Sequence, residues 1–76
     1  MEDYKTRMII EYVELNSRIH KLVKAIDKIK RGDFIPDTPL EILKRQLSEM
    51  IAYRNTLIVR GYYEQVRLYE YDNIIV

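Results

Sequence analysis

The sequence has no cysteine, one histidine, two glycines and two prolines, and no long apolar run. Each shortage excludes something. Without cysteine there is no disulfide and no thiolate metal site. The lone histidine, His20, does not make a structural zinc site within one chain. Lying among the charges of a helix, it reads as a solvated residue rather than as the base of a Ser-His-Asp arrangement. An excess of one charge is missing too. The 13 Lys and Arg are matched by 12 Asp and Glu, interleaved along the chain. That balance excludes the concentrated basic face of a dedicated nucleic-acid binder and an acidic disordered tail. No stretch approaches the roughly 20 apolar residues of a membrane span. The leading Met-Glu-Asp-Tyr-Lys lacks a signal-peptide apolar region, so a cytoplasmic, soluble protein with no membrane partner is expected.

What is present is a strict repeat. Met8, Tyr12, Leu15, Ile19, Leu22, Ile26 and Ile29 follow one another in steps of four and three without a miss. Such spacing lays one narrow apolar seam along a helix and demands a partner helix. No Gly or Pro lies between Thr6 and Lys30, so a helix from about Asp3 to about Arg31 is predicted. At 1.5 Å per residue it is a rod on the order of 37 Å long. Its outer face carries Glu11, Glu14, Arg18, Lys21, Lys24 and Lys28, with Arg7–Glu11 and Glu14–Arg18 spaced to pair. Cations in the last turn suit the helix dipole, and Gly32 supplies a left-handed terminator.

After a short connection, in which Phe34 and Ile35 are expected to tuck onto the hairpin end, Thr38-Pro39-Leu40-Glu41 reads as a capping box opening a second helix. Leu40, Leu43, Leu47, Met50 and Leu57 form its seam, with Arg54 standing where an apolar residue is due. A second stripe, Ile42, Ile51 and Ile58 with Ala52, adds apolar surface. The short connection forces the helices antiparallel. Gly61 either caps the second helix or bends it. Beyond it, Tyr62–Val76 holds four of the seven tyrosines. Alternation at Val66 and Leu68 hints at a strand, Asp72-Asn73 reads as a turn, and a helix continued to about Tyr71 fits equally well.

The fold class is therefore all-α: one domain over 1–76, with a helical hairpin over 4–60 and a Tyr-rich extension over 61–76. A chain of 76 residues buries a core worth only about 3–5 kcal/mol. With disulfides and metals excluded, assembly of hairpins into a homo-oligomeric helical bundle is the remaining source of burial.

No nucleophile motif, phosphate-binding glycine loop or metal-ligand spacing is present. Glu11 and Glu14 are more simply partners of Arg7 and Arg18 than a catalytic carboxylate pair. Three features bear on binding. Tyr4, just ahead of the seam, either staples the hairpin or offers its ring to a flat ligand. Arg54, beside Tyr53, needs an acidic partner, such as Glu11 or Glu14 of another subunit, a water-filled cavity or an anion, because an unpaired buried guanidinium is costly. Lys21, Lys24 and Arg60, taken alone, form a solvated basic set.

Two runs carry a resemblance. They are Arg7-Met8-x-x-Glu11-Tyr12-x-Glu14-Leu15-x-x-Arg18-Ile19-x-Lys21-Leu22 and Gln46-Leu47-x-x-Met50-x-x-Tyr53-x-x-x-Leu57-x-x-Arg60. In this order, across a short loop, they resemble the helical-hairpin domain of phage proteins that soak up immune signalling nucleotides, the anti-CBASS and Thoeris anti-defence sponges. The resemblance spans about Tyr4–Arg60. It implies a homo-oligomer, often a hexamer, in the host bacterial cytoplasm, with no catalytic step and no cofactor. Cyclic dinucleotides or related cyclic ADP-ribose signals would sit between subunits. By this analogy Tyr4 stacks on a base, Lys21 or Lys24 meets a phosphate, and Arg54 and Arg60 serve further phosphates, with Arg7 and Tyr53 beside them. The long tail after Gly61 departs from the pattern. Aromatic faces plus a few cations, repeated by symmetry, suit such a ligand without a strongly basic chain.

Two other classes compete. An oligomerisation or adaptor module would use the hairpin face and tail to hold a protein partner. A small helical mutase of the chorismate type would need a third helix bringing Glu64 or Gln65 to its site.

Overall fold

The protein's structure, a computed structural model, describes residues 3–74. Met1 and Glu2 of the polar lead, and Ile75 and Val76 of the extension, lie outside the described residues. Two helices, α1 (Asp3–Lys30) and α2 (Leu40–Tyr63), form an antiparallel hairpin, and a 3-10 turn (Leu68–Tyr71) packs against both. Among the described residues there is no strand.

α1 ends where its sequence says it must. Gly32 takes a left-handed φ of 83°. Its N–H donates to the Ile29 carbonyl at 3.0 Å, and the Asp33 N–H to the Lys28 carbonyl at 2.9 Å. These are the two bonds of a Schellman motif. The ion pairs at helical spacing fall elsewhere than expected. Among the described residues neither Arg7–Glu11 nor Glu14–Arg18 closes, whereas Arg45–Glu49 does at 3.5 Å. All but the half-buried Glu11 are exposed, where long side chains gain little by pairing.

The expectation for Phe34 and Ile35 is overturned: they are 51% and 88% exposed. Phe34 only edges a shallow cleft beside Lys21, Lys24 and Ala25 of α1, and Ile35 stands in solvent. The capping box expected at Thr38 and Glu41 does not form. Pro39, with ψ 144°, is the residue outside the helix, and its carbonyl accepts the Ile42 N–H at 3.0 Å. No side chain caps α2. Thr38, held extended by the following proline, sits one position too early to do so.

Gly61 does not cap α2. It lies buried within the helix, which runs on to Tyr63. The terminator is Gln65, left-handed at φ 62°. Gln65 N–H donates to Tyr62 O at 3.2 Å and Val66 N–H to Gly61 O at 2.8 Å. This is a second Schellman motif, with glutamine where glycine is usual. An inverse γ-turn centred on Arg67 follows, its Leu68 N–H donating to Val66 O at 3.1 Å. The extension is thus neither strand nor continued helix. It folds back so that Leu68, 1% exposed, joins Met8, Tyr12, Leu15, Ile19 and Leu57 in the core.

The seam is deepest at that end. Ile26 is buried towards the connection, but Leu22, Ile29, Leu40, Leu43 and Leu47 are only half-buried, because two helices without a third element cannot enclose them. The second stripe divides. Ile51 and Ile58 pack on the core, while Ala52 is exposed and Ile42 is 49% exposed.

Candidate ligand-binding site

Three polar groups share the covered side of the hairpin near its open end. Tyr12 is a seam residue, 1% exposed, and Asn16 one turn later is 3% exposed. A buried phenol or amide needs hydrogen-bond partners. Arg54, projecting from α2 at the seam position due a leucine, donates from Nη1 to Asn16 Oδ1 at 3.3 Å. That bond turns the Asn16 amide so that Nδ2 faces the C-terminal turn, where it donates to Asp72 Oδ1 at 3.4 Å. The Tyr12 hydroxyl donates to the same Asp72 oxygen. Arg54 Nε is buried and has no hydrogen-bond partner among the described residues.

These groups face an open cleft of about 460 Å³, lined by Tyr12, Asn16, His20, Arg54, Ile58 and Asp72 with Asn73. Burial, then the hydrogen bond to Asp72 and the Asp72 charge, push the Tyr12 phenol above its ordinary pKa near 10. The bond with Asn16 and the Arg54 charge oppose the shift without cancelling it. Tyr12 is therefore a neutral donor at physiological pH. Chemically, the cleft offers a phenol, an amide and a guanidinium to an oxygen-rich anion.

The residues expected to bind ligand fall in several places. Tyr4 lies at the start of α1, where its hydroxyl donates to Glu64 Oε1 at 3.0 Å across the open end. Lys21 and Lys24 line a second cleft of about 560 Å³ with Ala25, Lys28, Asp33 and Phe34, towards the connection. Seventeen residues of helix separate Tyr4 from Lys21, roughly 25 Å at the helical rise. Arg7, Tyr53 and Arg60 are exposed outside both clefts. A single chain thus unites none of the others with Arg54, whose partner within the chain is Asn16. Tyr12, Asn16 and Asp72 are the residues that sequence reasoning missed as a site. The signal was there: a tyrosine hydroxyl and an arginine on facing apolar seams each require a polar partner.

Among the described residues no group of three or more His, Asp and Glu side chains is placed to hold a metal, and no helix is long and apolar enough to cross a membrane. The third helix a mutase-type site calls for is also absent among them, since Glu64 and Gln65 close α2.

These features define a class, the helical-hairpin proteins with a polar cleft between the helices and a returning C-terminal turn. More specifically, the chain belongs to the Sequestin family, whose model matches residues 2–61. That match covers nearly the same segment as the resemblance to the phage sponges. Tyr12, Asn16 and Arg54 lie inside it and Asp72 outside. No curated protein and no solved structure matches the chain.

Proposed function

We propose that this protein is a sponge: a homo-oligomer of hairpins that binds cyclic nucleotide immune signals and withholds them from host effectors without cleaving them. Membership of the Sequestin family across the whole hairpin carries this reading, since the family's name denotes sequestration. The surface supports the oligomer. The chain exposes 5854 Å², roughly 900 Å² more than a compact monomer of its 9.2 kDa mass, about one partner's share of a standard interface. Tyr4, set apart from Lys21 and Lys24 within one chain, then meets them only by contribution from a different copy, with Arg7, Tyr53 and Arg60 on the outer surface available to the same pockets.

The test is depletion and recovery. Purified protein is mixed with a panel of cyclic dinucleotides and cyclic ADP-ribose isomers, the free ligand is filtered off, and the bound fraction is released by heat. One panel member should be depleted in fixed ratio to protein and recovered intact. No depletion across the panel, or recovery as a linear product, would refute the reading. The adaptor reading is favoured by one observation, the exposed Tyr62 and Tyr63 at 78% and 79% beside the C-terminal turn. It predicts no depletion.

A further inference from the structure

The polar cleft has an unequal ledger of donors and acceptors. Three donors belong to residues that line it from the hairpin: the Tyr12 hydroxyl, Asn16 Nδ2 and Arg54 Nε. One carboxylate oxygen of Asp72 accepts from the first two. The third is buried and unanswered, a costly state for part of a charged group. A carboxylate at this position reaches two of three donors. A phosphate, with more oxygens and more charge than a carboxylate, offers acceptors to the Arg54 guanidinium as well.

The origin of the groups points the same way. Tyr12, Asn16 and Arg54 belong to the hairpin covered by the family match, whereas Asp72 arrives on the extension beyond it. That extension is anchored ahead of Asp72, by buried Leu68 and by the Val66 N–H on Gly61 O. Asp72 itself is exposed at the end of the 3-10 turn. A turn of its side chain takes its carboxylate off the donors while Leu68 and Tyr71 stay packed on the core.

We propose that this cleft is a phosphate site and that Asp72 occupies it as an internal substitute for the ligand's phosphate, a latch displaced on binding. The inference deepens the sponge reading and rests on it only for the molecule that carries the phosphate. Arg54 and Tyr12 hold the incoming phosphate, Asn16 is held in its donating orientation by Arg54, and the freed Asp72 turns to solvent. His20, at the rim of the cleft, is placed beside whatever the phosphate is attached to.

The probe is inorganic phosphate, titrated into the full chain against chloride of equal ionic strength and followed by NMR. In the native protein the Arg54 Nε–H signal and the Asp72 carboxyl-carbon signal should move together. Asp72→Asn should tighten phosphate binding about tenfold, as expected for a site that a latch leaves open roughly one-tenth of the time. Arg54→Lys, which lacks Nε–H, should leave the Asp72 signal unmoved by phosphate. Movement of the Arg54 signal with a stationary Asp72 signal, or unchanged or weaker binding in Asp72→Asn, would overturn the latch. A silent Arg54 signal would overturn the site. The same titrations with cyclic dinucleotides separate the two readings. Binding with both signals silent removes this inference and leaves the sponge, whereas a phosphate response without cyclic-nucleotide binding does the reverse.

Discussion

At the scale of single residues the account turns on Arg54 and Tyr12. Arg54 stands on an apolar seam with one hydrogen bond to a neutral amide and one buried nitrogen unanswered. A leucine there removes the buried, unpartnered Nε–H, so Arg54→Leu should leave the thermal midpoint unchanged or raised. The same variant should lose anion binding in the titration described above. A large fall in stability would instead show that the guanidinium is structural. Tyr12→Phe should cost about 1.5–3 kcal/mol in urea unfolding, the range for one hydrogen bond to a charged acceptor. It should also change the alkaline limb. The folded state holds the Tyr12 proton above the ordinary value near 10, so its stabilising effect is complete below that pH and is lost as pH rises through the higher folded value. The difference in stability between native protein and Tyr12→Phe should therefore be flat to about pH 9 and shrink beyond pH 10. A difference that grows with pH would contradict the assigned cause.

At the scale of elements, the ends of the helices carry the information. Gly61 illustrates why a helical glycine can be essential. A Cβ there would lie 2.7 Å from the Val66 carbonyl oxygen, a backbone atom with little room to move. Gly61→Ala should thus destabilise by about 1–3 kcal/mol, despite the roughly 1 kcal/mol that alanine gains in helix propensity. Gln65→Gly should do the opposite. Gln65 is exposed and left-handed, and relief of that conformation should stabilise by about 0.5–1 kcal/mol. Chemical denaturation of the two variants checks both signs. These sites also show what was legible beforehand. The seam from Met8 to Ile29 and the Gly32 stop fix α1 because periodicity and a glycine cap are local signals. The end of α2 was not legible. Its cap is a glutamine, chosen because the returning chain needs Val66 close against Gly61, and that is a tertiary demand. The extension escaped for the same reason, since Leu68 is placed by the core it enters rather than by its neighbours in sequence. Arg54 could be singled out as anomalous from its spacing alone. Its partner could not, because Asn16 and Asp72 are brought to it only by the hairpin and the returning turn.

At the scale of the whole molecule, shape and surface agree. The chain measures 47 × 20 × 16 Å and has a radius of gyration of 14.6 Å, against about 11 Å for a compact domain of its length. The half of the hairpin near the connection is enclosed only by two helices. Ile42 and Tyr53, three turns apart on one flank of α2, remain 49% and 45% exposed, as does Ile10 on α1 at 50%. Association of copies should cover this surface, so replacing Ile42 and Tyr53 together by lysine should lower the assembly number in light scattering while helicity is retained. An unchanged assembly would place the contact elsewhere. The most direct measurement of the central claim is native mass spectrometry of the protein purified from cells that express a cyclic-nucleotide synthase. The account predicts a discrete oligomer whose mass exceeds that of its protomers by a whole number of intact cyclic nucleotides, lost together on unfolding. A protein of monomer mass, or an oligomer that carries no nucleotide when the signal is abundant in the same cells, would contradict it.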